Sequence, residues 1–205
     1  EVSKTQLDHS MGRQTDGGTQ WRIMKNPTPG TSNNNTPSGI AYAGRPDVNI
    51  EGGFYQDSVF VVVSSTEPNA TVRYTLNGNE PTNTSTIYTE PIKIDHTTVL
   101  KVRTFSNATT ILPSFVQFNT YFINDTHNLP VISIGSNDVE TLANGNQGLR
   151  PQGSVEYFDI DGDRKTRAYG ELNSHGQDSW VNDQRSMDWV TRDEMGYNNA
   201  LKKKI

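Results

Sequence analysis

What this sequence lacks excludes several classes of protein. It contains no cysteine, so it can form neither a disulfide framework nor a thiolate nucleophile or metal site. It has no run of about 18 apolar residues, so no membrane-spanning helix is predicted. Its 23 acidic residues outnumber its 18 basic ones, for a formal net charge of −5, which disfavours binding to a nucleic-acid backbone.

Charge of either sign is scarce, at 20% of residues, and uncharged polar residues take its place. With 17 glycines and 10 prolines, this composition predicts many turns and strands. The chain begins at Glu1 without a signal sequence and ends without a turn residue after Leu201. We therefore expect a piece of a longer protein.

Residues 48–122 contain several short apolar segments separated by turns, which predicts a small antiparallel β-sandwich. Residues 58–64 form an apolar run, which indicates a strand covered on both faces. Asn77-Gly78 predicts a tight turn. Alternation of apolar and polar residues predicts that the following side chains face the core: Val72, Tyr74, Leu76, Leu100 and Val102.

The flanking regions have a weaker pattern. Residues 19–24 predict one strand, and residues 31–38, rich in Asn, Thr, Ser and Pro, predict a linker. Further strands are predicted at residues 129–134, 154–159 and 167–172, and helical segments at residues 137–142, at Met187, Val190 and Met195, and after Asn198 or Asn199. Either Asn137 or Asp138 would cap the first helix.

The middle region resembles the chitobiase/β-hexosaminidase C-terminal domain. The resemblance is carried by Arg73-Tyr74-Thr75, Asn77-Gly78, Glu80-Pro81-Thr82, Tyr88 before Pro91-Ile92, and residues 98–103. It implies an immunoglobulin-like sandwich, usually found beside sugar-cleaving enzymes.

Two shorter resemblances flank it. Residues 10–13, 16–17, Trp21 and 27–30 with Asn33 resemble the end of a lamin-tail-type domain. Residues 129–134, 155–162, 170–176 with Ser179, Arg185-Ser186 and 192–196 resemble the start of a spore-coat CotH-type kinase-like domain. The domains expected are then residues 1–38 (lamin-tail-like end and linker), 39–126 (sandwich) and 127–205 (kinase-like start).

The fold class expected is mainly β, an immunoglobulin-like antiparallel sandwich followed by an α+β partial kinase-like region. The kinase-like resemblance implies ATP with a divalent metal, and nucleotide contacts from Arg185 and Ser186. The family commonly has lysine where Arg185 stands, and its catalytic carboxylates would lie beyond Ile205. We therefore assign no catalytic residue and expect no kinase activity from these residues alone.

Two further sets of residues are candidate sites. Asp159, Asp161 and Asp163 alternate around Gly162, a pattern that fits a hairpin turn and, as an alternative, part of a calcium loop. Trp180 and Trp189 lie in polar surroundings, where an exposed ring would contact a glycan or a partner protein. The alternative, which is the commoner outcome for tryptophan, is a packed ring whose N–H alone is solvated.

The leading hypothesis is a non-catalytic structural or interaction segment of a multidomain, secreted or cell-surface bacterial protein. Its partners would be other domains of the same longer chain, and cell-surface proteins or glycans; neither a cofactor nor nucleic acid is expected. The alternatives are the start of an ATP-dependent kinase-like domain and a glycan-binding accessory module.

Overall fold

The computed structural model describes residues 4–176, 180–181 and 185–191, and it is mainly β with several sheets. No helix among these residues has both the length and the apolar composition needed to span a membrane. Met195, Asn198 and Asn199, on which two helix predictions depended, lie outside the described residues.

The N-terminal region forms a three-stranded antiparallel sheet in the order β1-β2-β3. Its strands are β1 (Ser10–Arg13), β2 (Trp21–Met24) and β3 (Ser38–Gly39). Residues 31–38, predicted as a linker, contact the hairpin: Ser38 pairs with Met24, and the Asn33 amide donates a 3.0 Å hydrogen bond to Asp16 Oδ1. The residues of this segment are exposed or half-buried. A linker role for this segment stays a prediction.

The middle region is a two-layer β-sandwich. Its strands are β4 (Ala41–Tyr42), β5 (Asp47–Val48), β6 (Gly53–Tyr55), β7 (Val59–Val61), β8 (Val63–Ser64), β9 (Ala70–Thr75), β10 (Thr86–Ile87), β11 (Ile92–Ile94), β12 (Thr98–Ser106), β13 (Ile111–Leu112) and β14 (Gln117–Ile123). One layer is a five-stranded sheet in the order β10-β9-β12-β14-β6, and the pairs β11-β7 and β5-β8 form the other. The Asn77-Gly78 turn follows β9, with Gly78 at φ +75°.

The sequence predicted an antiparallel sandwich, but two of its strand pairs are parallel. Within the five-stranded sheet, the edge strand β6 runs parallel to its neighbour β14. Strand β4 likewise runs parallel to β13. Strands far apart in sequence can pair in either direction, since no short hairpin constrains them. Alternation along each strand predicts burial but carries no information about the direction of its partner.

The core between the two layers confirms most of the predicted inward positions. Leu100 and Val102 are fully buried, and Val72 and Tyr74 are partly buried against the same cluster. Leu76 is the exception at 38% exposed, because β9 ends at Thr75 and the alternation stops with it.

The prediction that residues 58–64 form a strand covered on both faces is wrong. Val61 and Val63 are buried, but Phe60 and Val62 are 55% and 43% exposed. The second layer packs on the sandwich core with one face only, so an apolar side chain at every position does not produce a strand buried on both sides.

The C-terminal region is a four-stranded antiparallel sheet in the order β15-β16-β17-β18. Its elements are β15 (Val131–Ser136), α1 (Val139–Ala143), β16 (Gln152–Phe158), β17 (Arg164–Ser174) and β18 (Met187–Thr191). The helix predicted around Met187 and Val190 is wrong, because these residues pair with β17 as a strand. The helix α1 begins where it was predicted, with Asp138 at the N-cap position.

This C-terminal sheet covers the outer face of the five-stranded sheet and makes a third layer. Phe118 of β14 meets Tyr169 of β17, with ring centroids 5.6 Å apart, and Phe122 meets Phe158 of β16 at 5.2 Å. The sheet shared by both interfaces is therefore buried on its two faces.

Candidate functional site

The interface between the sandwich and the C-terminal sheet holds a buried lysine. Lys101 of β12 is fully buried, and its ammonium donates hydrogen bonds to Glu80 Oε1 at 2.6 Å, to the Gly135 carbonyl at 2.9 Å and to Tyr169 Oη at 3.0 Å. These bonds use all the donors of an ammonium group. Burial lowers the pKa of Lys101, and the Glu80 carboxylate opposes that shift. We call Lys101, Glu80, Gly135 and Tyr169 the Lys101 cluster.

A second polar group crosses the same interface near the middle of β14. Glu156 of β16 is 1% exposed and accepts hydrogen bonds from Thr120 Oγ1 at 2.5 Å and from Arg164 Nη1 at 2.7 Å. Arg164 also donates to Asn119 Oδ1 at 2.6 Å and forms an ion pair with Glu51. We call these five residues the Glu156 cluster.

The ionisation of Glu156 is disfavoured by its position. Burial raises the pKa of Glu156, while the Thr120 hydroxyl and the Arg164 guanidinium act in the opposite direction. Asn119 Nδ2, also buried in this cluster, has no hydrogen-bond partner among the described residues. The cluster thus contains both a costly buried carboxyl group and the donors that compensate it.

Small residues allow the two regions to approach closely beside Lys101. A Cβ atom on Gly135 would lie 2.8 Å from Val99 Cγ1 and 2.9 Å from Ser154 Oγ, and one on Gly78 would lie 3.0 Å from the Gly135 Cα. Asn137 adds a direct bond, since its Oδ1 accepts a hydrogen bond from the Glu80 amide at 2.8 Å. The turn after β9 is therefore seated against the C-terminal region.

A cavity of about 290 Å³ opens where the three regions meet. We call it the junction cavity; its lining includes Gln6, His9, Glu80, Arg103, Phe115 and Gln152. Burial and the nearby Arg103 guanidinium lower the pKa of His9, which favours its neutral form. Segments far apart in sequence thus place one arginine, one carboxylate and neutral hydrogen-bonding groups around one space.

The aspartates predicted as a turn or a calcium site form the hairpin between β16 and β17. Gly162 has φ +83°, and Asp159 Oδ1 accepts hydrogen bonds from the Asp161 and Asp163 amides. Lys165 pairs with Asp159 and Asp163 at 2.9 and 2.8 Å, and its hydrogen bond lowers the pKa of Asp159. Among the described residues no group of three His, Asp or Glu side chains is placed to hold a metal, and calcium binding stays a prediction.

The residues predicted to contact a nucleotide lie beside α1. Arg185 Nη1 donates a 2.6 Å hydrogen bond to the Ala143 carbonyl near the end of this helix, and the guanidinium lies 5.9 Å from the centre of the Trp180 ring. Ser186 is exposed, and its carbonyl accepts the His175 amide at 2.9 Å. Nucleotide binding at this pair stays a prediction. Ser179 and residues 192–196, which share the resemblance, lie outside the described part of the chain.

The two predicted tryptophans have different environments. Trp180 is 6% exposed and packs with Leu142 and Leu172, so the packed arrangement, one of the two considered from the sequence, is the one found; its indole N–H donates to the His175 carbonyl at 3.2 Å. Trp189 of β18 is half-buried against the same cluster. Apolar packing outweighed the polar character of their neighbours in sequence. A glycan or partner contact by either ring stays a prediction, and the burial of Trp180 does not favour it.

Sequence reasoning missed the polar residues that the interface buries. Lys101 and Arg103 alternate with the buried positions of β12, which is the pattern of an outward, solvated face. Glu156 gave a weak signal, as a charge flanked by Val155 and Tyr157. No local pattern shows that a second sheet covers these positions.

The comparison with known protein families gives a match within the sandwich. The family model of the Chitobiase/beta-hexosaminidase C-terminal domain matches residues 50–113, which include Glu80, Lys101 and Arg103 but end before β14. The resemblance to this domain is thereby confirmed for the sandwich, and it fits an accessory module associated with carbohydrate. No curated protein and no solved structure matches the chain significantly.

Proposed function

We propose that this chain is a non-catalytic segment of a multidomain, secreted or cell-surface bacterial protein, in which the sandwich is a rigid connector between its neighbours. The observation that supports it is the burial of Lys101 and Glu156 between the sandwich and the C-terminal sheet. A spacer that only separates two domains needs no such contact, whereas a connector that orients them does.

The chemistry of the interface supports a single orientation. An apolar interface tolerates sliding, because burial of area has no direction. Lys101 and Glu156 are buried ionisable groups, and moving either away from its partners would leave an uncompensated group at a cost of about 3–5 kcal/mol. The hydrogen bonds of both clusters must form at the same time. One relative orientation of the sandwich and the C-terminal sheet is therefore favoured over slightly shifted ones.

The family match supports the setting of this role. Domains of this kind fit an accessory position beside carbohydrate chemistry, outside the cytoplasm. The other domains of the longer chain are then the first partners, and cell-surface proteins or glycans are the second.

Distance measurements between two spin labels test the rigid connection. The chain has no native cysteine, so Thr86→Cys on β10 and Glu140→Cys on α1, both exposed, can be labelled selectively. We expect one narrow distance distribution by pulsed EPR. A broad or bimodal distribution in the otherwise native chain would show a flexible joint and refute the proposal.

A variant separates the effect of the buried lysine from that of charge removal in general. Lys101→Met removes the buried ammonium, whereas Lys93→Met removes an exposed one that pairs with Asp95. We expect Lys101→Met to broaden the distance distribution and Lys93→Met to leave it unchanged. Equal behaviour of the two variants would show that the Lys101 cluster does not orient the regions.

A further inference from the structure

The junction cavity contains a cation without an ionic partner. Arg103 Nε donates to the Ser114 carbonyl at 2.8 Å and Nη2 donates to Gln6 Oε1 at 2.5 Å, and both acceptors are neutral. A guanidinium has more N–H donors than these two bonds use. Among the described residues no carboxylate forms an ion pair with Arg103.

The surrounding charges increase this positive excess. Glu80 also lines the cavity, and its charge opposes the lowering of the Arg103 pKa by burial, but its close ion pair, at 2.6 Å, is with the buried Lys101. Arg73 of β9 is directly opposite Arg103 in the strand register, so a second arginine stands on the neighbouring strand. Arg103, Arg73 and Lys101 thus outnumber Glu80 around this part of the sheet, which favours an anion in the space beside Arg103.

The rest of the lining is suited to hydroxyl groups and a ring. His9, in its favoured neutral form, and the amides of Gln6 and Gln152 provide uncharged hydrogen-bonding groups, and Phe115 provides an aromatic surface. The volume of about 290 Å³ is just below the range of small-molecule sites, roughly 300–1,000 Å³, and suits a small ligand. A compact, polyhydroxylated ligand with one negative charge matches these properties.

We propose that the junction cavity binds a sugar acid, a monosaccharide unit carrying one carboxylate. The carboxylate accepts hydrogen bonds from the free N–H groups of Arg103, a pairing that is both charge-assisted and planar. The sugar hydroxyls bind the amide side chains, and the ring faces Phe115. This site goes beyond the connector role, and only its choice of a carbohydrate depends on the proposed carbohydrate setting.

Calorimetric and NMR titration of the whole chain with glucuronate, glucose and acetate tests the proposal. These probes separate the contributions of the carboxylate and the sugar ring. We expect saturable binding of glucuronate, with glucose and acetate each weaker by about tenfold or more, and amide shifts at Gln6 and Phe115. No saturable binding of glucuronate would overturn the site. Acetate binding as tightly as glucuronate would reduce it to a simple anion site and overturn the sugar acid.

Two variants and a matched control locate the interaction. Arg103→Gln and Gln152→Glu should each weaken glucuronate binding by about tenfold or more. Gln152→Glu does so by placing a carboxylate in the cavity that repels the carboxylate of glucuronate, while the hydrogen bonds of Arg103 stay in place. Arg73→Gln removes the same charge from the opposite strand and should weaken it by less than about threefold. If Arg73→Gln weakened binding as much as Arg103→Gln, diffuse surface charge would explain the binding and the site would be refuted. The spin-label distances report on the connector independently of these titrations.

Discussion

The five-stranded sheet is buried on both faces, but the two faces use different chemistry. The inner face packs Leu100, Val102 and Tyr121 against the apolar second layer. The outer face combines aromatic contacts, such as Phe118 against Tyr169, with Lys101 and Thr120, which bond polar groups of the C-terminal sheet. The inner face gains stability from area removed from water, which many arrangements provide. The outer face requires a particular partner for each polar atom, so it selects one arrangement.

The largest effect is expected from breaking the Glu156 cluster. Arg164→Met removes the cation beside a carboxyl group that is 1% exposed, and should lower the free energy of unfolding by about 3–5 kcal/mol. Urea denaturation measures it, with Arg150→Met as control because the exposed Arg150 bonds only local carbonyls. Equal, small losses from both substitutions would mean that the outer face needs no ionic partner.

Truncation on the inner face should follow in size. Leu100→Ala empties a fully buried position and should cost about 2–5 kcal/mol. Leu76→Ala is the matched control, and it should cost less than about 1 kcal/mol because Leu76 is 38% exposed. Should Leu76→Ala prove as damaging as Leu100→Ala in the same urea titration, the assignment of the inner face would be wrong.

Close approach of the two regions can be tested by adding a methyl group. Gly135→Ala would place its Cβ 2.8 Å from Val99 Cγ1, and should cost about 1–3 kcal/mol through overpacking. Gly148→Ala is the control, since its nearest neighbour would be Asn146 Oδ1 at 3.6 Å. If Gly135→Ala left the midpoint temperature of thermal unfolding unchanged, the interface would be looser than the structure shows.

The smallest effect expected is a pH dependence from Glu156. Because its pKa is raised, the folded chain binds more protons than the unfolded chain once the pH rises through the ordinary value of 4.5. Stability therefore falls as pH rises from 4.5 through the folded pKa, and Glu156→Gln removes this loss. Urea titrations over that range should show the variant gaining on the native chain with rising pH; Glu140→Gln, exposed on α1, should not. A constant difference between Glu156→Gln and the native chain would contradict the raised pKa.

Sequence reasoning was accurate where local physics decides the outcome. Gly78 and Gly162 adopt the positive φ that their turns require, and the alternation in β12 placed Leu100 and Val102 in the core. It failed where a strand ended early, as at Leu76, and where only one face was covered, as at Phe60. These errors have one origin, because alternation shows which residues share a face but not what covers that face.

The candidate site was less predictable than the fold. Lys101, Arg103 and Glu156 are charged residues on strands, and a pattern of single residues assigns such positions to solvent. Met187 and Val190 show the same difficulty in another form, because their spacing fits a helix while pairing with β17 makes them a strand. Contacts between distant segments outweigh a weak local preference.

From its own sequence this protein's turns, the strands of its sandwich and the apolar side of its central sheet followed directly, because backbone geometry and period-two burial are local properties. Only the tertiary structure brought the C-terminal sheet onto the other side, buried Lys101 and Glu156 there and enclosed the cavity beside Arg103. The reason is that a buried charge is stable only with partners in space, and those partners lie on strands far away along the chain.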